Sequence, residues 1–153
     1  MRALKSRKST LRILIDTTFL LPALGVEVEE EAEDIIPFFR RVKVYYLEVG
    51  LLEAIWKILK IADSGALKRV KMGIEAIRKT YNLITPPAEA YIEAIKIYEM
   101  GHRDYIDALY YTTAKSMSLK LLTIDREFIE FLADKEYNIE NIITPRELKQ
   151  MLS

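Results

Sequence analysis

The chain has 153 residues, enough for one domain with a sizeable core and too few for two of ordinary size. Half of them are hydrophobic, 30% are charged and the net charge is zero, so the overall basic footprint of a general nucleic-acid binder is missing. With no cysteine and a single histidine, His102, disulfides, zinc–thiolate clusters, thiol nucleophiles and multi-histidine metal sites are excluded, which leaves carboxylates, hydroxyls, lysine and arginine to carry any chemistry.

Residues 1–10 form a basic N-terminal extension with Arg2, Lys5, Arg7 and Lys8 and no acid. Such a lead suits phosphate contact or plain solvation. Residues 11–153 read as one domain, since no repeat, low-complexity stretch or long linker divides them. The apolar run Ile13, Leu14, Ile15 predicts a buried strand over 11–16. Thr17 and Thr18 are cap-forming side chains for a short helix to residue 24, closed by Gly25. A helix over 29–40 follows. Six acids in residues 27–34 and the pair Arg40-Arg41 complement its dipole at opposite ends.

A strand over 43–46 leads into a strongly apolar helix over 47–62 that carries the only tryptophan, Trp56. Ser64-Gly65 interrupt the chain before a helix over 66–80. A strand over 83–85 is stopped by Pro86-Pro87. A helix over 88–100 ends at Gly101, and another spans 103–118. A strand over 120–123, a helix over 126–135, a strand over 142–143 and a last helix starting at Thr144-Pro145 complete the pattern. Strands alternating with helices predict a three-layer α/β/α domain around a central, mostly parallel sheet. No segment reaches the roughly 18–20 apolar residues of a membrane span, and the lack of cysteine fits a cytoplasmic protein.

In open parallel sheets, ligands bind beyond the carboxyl ends of the strands. Asp16 ends the first strand, and Asp125 follows the strand that contains Leu121 and Leu122. Either carboxylate taken alone reads better as a cap for the next helix, worth about 1 kcal/mol. Glu53 interrupts Leu51-Leu52-Glu53-Ala54-Ile55-Trp56, where pairing with Lys57 at i+4 is the plainer role. Glu48 lies about 140° away around the same helix and reads as a first-turn surface residue. Asp107, within Tyr105-Ile106-Asp107-Ala108-Leu109-Tyr110, is oddly placed for a charge unless it lines a cavity. Asp104 shares its helix face. The plainer reading of that pair is an Arg103–Asp107 ion pair with Asp104 as a helix-start acid.

Four acids gathered in one pocket repel one another and resist ionisation, and a hard divalent cation removes that cost. Without histidine or cysteine ligands, the suitable ion is Mg²⁺ or Mn²⁺ rather than zinc. Such an ion orients and deprotonates a water and shields charge on a phosphodiester.

At these residues the sequence resembles the PIN-domain family, especially the toxin-type, VapC-like ribonucleases of prokaryotic toxin–antitoxin pairs. The resemblance rests on Ile13-Leu14-Ile15-Asp16-Thr17-Thr18-Phe19-Leu20, Leu52-Glu53, residues 105–114 and Leu121-Leu122-Thr123-Ile124-Asp125-Arg126-Glu127-Phe128. It covers roughly residues 11–130 of the sequence. It implies metal-dependent hydrolysis of RNA by an endoribonuclease, a homodimer, and restraint by a small antitoxin protein. It also implies an acidic cluster of Asp16, Glu53, Asp107 and Asp125, with the Thr123 hydroxyl orienting the last acid or a metal-bound water. Asp104 matches no fixed family position, though it stands beside the cluster.

The alternative is a non-catalytic PIN-fold module that binds RNA or protein. Tyr45-Tyr46 and Tyr110-Tyr111 would offer it stacking rings, although core and dimer-interface packing is their plainer role. The helices over 47–62 and 66–80 carry apolar surface suited to dimerisation. A haloacid-dehalogenase-like phosphatase needs a second Asp where Thr18 stands. A response-regulator receiver needs an acidic pair and a late strand-end lysine, and neither pattern is present.

Overall fold

The computed structural model describes residues 10–61 and 63–153, so the basic extension, apart from Thr10, lies outside the described residues. Among the described residues, five strands form one sheet: β1 (Arg12–Ile15), β2 (Lys43–Leu47), β3 (Asn82–Ile84), β4 (Lys120–Leu122) and β5 (Ile142–Ile143). All pair in parallel, in the order β3-β2-β1-β4-β5. β1 holds the centre, with Leu14 opposite Tyr45 on one side and Leu121 on the other.

The two-residue alternation of strand side chains divides the core into two layers. Ile13, Ile15, Val44, Tyr46, Leu122 and Ile143 point to one face. There they meet α1 (Glu30–Ile35), α2 (Glu48–Ile58), α3 (Ala66–Thr80) and α7 (Pro145–Met151). Leu14, Tyr45, Leu47, Leu121 and Ile142 point to the other, against α4 (Ala88–Glu99), α5 (Tyr105–Ser116) and α6 (Arg126–Asp134). The architecture is the expected three-layer α/β/α sandwich. Because both faces are covered, the strands read as unbroken apolar runs, and Ile13, Leu14 and Ile15 are fully buried.

Two expected helices are tighter and shorter than the sequence pattern suggests. Residues 17–24 form two 3₁₀ turns, Thr17–Leu20 and Pro22–Leu24, because Pro22 has no N–H to continue a helical ladder. Gly25 then closes the segment in the left-handed region at φ 92°. The helix expected over 29–40 stops at Ile35 and continues as a 3₁₀ stretch, Ile36–Arg41. Pro37 is the cause, since it cannot donate to the carbonyl of Glu33. The last helix starts as anticipated. Thr144 accepts the Glu147 N–H while the Glu147 side chain accepts the Thr144 N–H, a complete capping box.

The four tyrosines considered for base stacking are all buried, Tyr46, Tyr110 and Tyr111 at 1% exposure, so they belong to the core and present no ring face to RNA. Some large apolar side chains remain outside. Leu52 and Trp56 of α2, with Leu59 just after it, are exposed, as are Leu67 and Met72 of α3, and Tyr91, Ile92, Ile95 and Tyr98 of α4. Among the described residues no helix is long and apolar enough to cross a membrane.

Candidate active site

The strand order reverses at β1, between β2 on one side and β4 on the other, and in open parallel sheets the carboxyl ends at such a point are where ligands bind. Asp16 leaves β1 at this point. Its carboxylate accepts the Thr18 N–H at 3.1 Å and so caps the 3₁₀ turn that follows. Burial pushes Asp16 up to about 7. The Thr123 hydroxyl and the Thr18 amide work against that rise, the charge of Asp125 adds to it, and Lys57 lowers it slightly.

Asp125 stands beyond β4 as the N-cap of α6, accepting from the Phe128 N–H at 3.0 Å. Thr123 stands beside both strand-end acids. Its oxygen accepts the Asp125 N–H at 3.1 Å, and its hydroxyl stands near enough to the Asp16 carboxylate to favour its ionised form. Capping therefore does operate at both acids, as one reading of each allowed, and it leaves a second oxygen on each carboxylate. A cap and a ligand are compatible roles.

Asp107 enters from the first turn of α5. Burial pushes it up to about 8, and the charges of Asp104, Asp125, Asp16 and Glu53 all act in the same direction. Five acids from four segments of the chain thus share one electrostatic neighbourhood. Asp104 is the N-cap of α5, with one oxygen accepting the Asp107 N–H at 3.1 Å. The partner of Asp107 is His102 rather than Arg103, with Nε2 3.3 Å from Oδ2. His102 is held between the rings of Phe128 and Phe131, at 4.5 and 5.2 Å.

Glu53 projects from α2, and its nearest bond is not to Lys57. Thr17 Oγ1 donates to Glu53 Oε1 at 2.5 Å, across 36 residues of sequence. The same Thr17 oxygen lies 3.0 Å from the Tyr110 hydroxyl. Gly50 makes that approach possible, since a Cβ there would fall 1.8 Å from the Tyr110 oxygen. Glu48 faces outward in the first turn of α2 and pairs with Arg78 at 2.6 Å on the surface, as expected.

Thr17, Gly50, His102 and Tyr110 are the neighbours of the acids that sequence reasoning missed. A glycine in the first turn of a strongly apolar helix was the one available signal, because glycine weakens a helix unless something must come close. The donor set is entirely oxygen, apart from the ring of His102, which suits a hard cation. Among the described residues, no three His, Cys, Asp or Glu side chains converge tightly enough to hold one ion directly. A hydrated Mg²⁺ or Mn²⁺, which keeps several waters and takes only one or two carboxylates directly, does not require such convergence.

Comparison with known proteins places the fold. The chain is similar in fold to a toxin–antitoxin complex from Klebsiella pneumoniae, with 17% identity and a TM-score of 0.61 over 87% of this chain and 97% of that one. It is similar to a DNA-bound VapBC from Salmonella typhimurium, with 18% identity and a TM-score of 0.61 over 89% and 99% of the two chains. A third likeness is to the sarcin-ricin loop cleaving toxin VapC20 of Mycobacterium tuberculosis, at 15% identity and a TM-score of 0.59 over 77% and 93%. No curated protein sequence matches the chain. The sequence profile of the PIN domain matches residues 13–132, from the first residue of β1 fully inside the core to a point within α6. The chain belongs to the PIN domain family.

Proposed function

We propose that the chain is a divalent-metal-dependent endoribonuclease and the toxin of a toxin–antitoxin pair. The observation that carries this reading is the environment of Asp107, whose ionisation is opposed by burial and by four further acids drawn from β1, α2 and the starts of α5 and α6. A bound cation would relieve that opposition. Asp16, Asp107 and Asp125 are the nearest candidate ligands, Glu53 stands close by, and Asp104 adds charge. Bound there, Mg²⁺ or Mn²⁺ would lower the pKa of a water and neutralise charge developing on the phosphodiester.

The protein's own residues would prepare that chemistry. Thr123 accepts the Asp125 N–H and so fixes the start of α6 against the end of β4, with its hydroxyl near Asp16. Backbone N–H groups of Thr18 and Phe128 occupy one oxygen of each and limit its rotation. The solved toxin–antitoxin complex and the sarcin-ricin loop cleaving toxin supply the substrate class and the antitoxin partner by likeness. The exposed apolar side chains of α2, α3 and α4 are suited to a second copy and to such an antitoxin.

The test is cleavage of a mixed, labelled RNA pool with Mg²⁺, with Mn²⁺ and with EDTA, beside Asp16→Asn. Metal-dependent products that vanish in the variant are expected. A second reading, a non-catalytic PIN-fold module that binds RNA or protein, draws on the absence of three directly convergent ligands among the described residues. Folded wild-type protein that cleaves none of several RNAs with either metal would transfer the assignment to that module.

A further inference from the structure

A hydrogen-bonded chain runs from the core into the acidic pocket. Its inner end is the hydroxyl of Tyr110, a side chain 1% exposed and packed within the layer under α4 and α5. That hydroxyl meets Thr17 Oγ1 at 3.0 Å, and Thr17 Oγ1 meets Glu53 Oε1 at 2.5 Å. The Thr17 hydroxyl has one proton and donates it to Glu53, so Tyr110 must donate to Thr17. Burial, reinforced by the charges of Asp16, Glu53 and Asp107, holds the Tyr110 hydroxyl well above the ordinary tyrosine range, so it keeps the proton it donates. For filling the core, phenylalanine would serve as well and would leave no buried hydroxyl to satisfy. The fold also reserves room for this oxygen by placing Gly50 against it.

We propose that Tyr110 is a positioning residue for the metal site, acting through Thr17 to hold Glu53 by Oε1 beside the other acids. Resting on the metal-dependent reading above, the assignment concerns the ion-binding step and not the core. Thr17 is the joint of the device. Its backbone is fixed by the turn that follows β1, so its hydroxyl registers Glu53 against Asp16, the residue beside it in the chain.

The experiment is Mn²⁺ binding to the full chain, followed by loss of the free-ion electron paramagnetic resonance signal, with folding checked by circular dichroism. Tyr110→Phe is expected to weaken binding about tenfold, the scale of other residues that orient metal ligands. Thr17→Val weakens it similarly, and Thr17→Ser, which restores the hydroxyl, recovers it. In a Glu53→Gln background, Tyr110→Phe has no further effect. Equal Mn²⁺ affinity in wild type and Tyr110→Phe overturns the assignment while leaving the metal reading intact. A wild-type protein that binds no Mn²⁺ overturns both. If Tyr110→Phe fails to fold, the Thr17→Val and Thr17→Ser pair, which keeps the tyrosine ring, decides in its place.

Discussion

Removing the charge at Asp107 is expected to stabilise the metal-free protein at neutral pH, although the substitution lies in the candidate active site. The folded protein raises this carboxyl from 3.8 to about 8, through burial first and then Asp104, Asp125, Asp16 and Glu53. Because the folded value lies above the unfolded one, the folded state binds this proton more tightly. The group's favourable contribution is therefore complete below about pH 4 and is lost as pH climbs through about 8. Taken at face value, that span amounts to about 5–6 kcal/mol. The side chain is 26% exposed, so screening by water reduces the realised effect to about 2 kcal/mol.

Asparagine keeps the shape and retains an oxygen to accept from His102 Nε2. For a domain of this size, about 2 kcal/mol corresponds to roughly 4–8 °C in Tm. Thermal unfolding in EDTA, followed by circular dichroism from pH 4 to 8.5, should show wild type and Asp107→Asn converging at the acid end. The variant should pull ahead as pH rises. An Asp107→Asn protein no more stable than wild type at pH 8, or a gap that does not vary with pH, would overturn this account of Asp107.

Gly50→Ala should lose about 2–3 kcal/mol in urea unfolding despite alanine's better helix propensity, because its Cβ would sit 1.8 Å from the Tyr110 oxygen. Adding Tyr110→Phe should recover part of that loss, since the nearest ring carbon is 3.1 Å away and only the oxygen collides severely. Gly73→Ala should lose about 2 kcal/mol or more, because the new methyl would lie 2.3 Å from the Ala23 carbonyl oxygen, where α3 packs on the Pro22–Leu24 turn. The same urea titration measures it. Thr144→Ala removes one half of the α7 capping box and should lower stability by about 1 kcal/mol, read as a Tm fall of roughly 2–4 °C.

What the sequence makes legible here divides along the reach of its signals. The apolar run at Ile13–Ile15 and the alternation of strands with helices report the buried parallel sheet, because burial on both faces leaves a local mark. Strand-end acids are also local, so Asp16 and Asp125 stand out from the order of residues alone. Pro22 and Pro37 are equally local signals. Their missing N–H groups account for the shortening of both expected helices. Partner choice is different. Spacing along α2 suggests Lys57 for Glu53 and spacing before α5 suggests Arg103 for Asp107, whereas the fold supplies Thr17 and His102. The first is a contact across the sheet edge, and the second depends on two phenylalanines of α6 that hold the imidazole in place. Neither leaves a periodic trace.

The central position of β1 has a consequence for the life of the chain. Asp16 is made early, yet its neighbours Thr123 and Asp125 come roughly a hundred residues later, with or just after the strand that completes β1's second edge. As the chain leaves the ribosome, β1, β2 and β3 can be in hand while half of the carboxylate pocket has not been synthesised. The pocket is thus a late product of biosynthesis. A nascent or truncated chain that stops short of β4 carries Asp16, Glu53 and Asp107 without Thr123 and Asp125, so the acidic group is completed only when the fold is nearly whole.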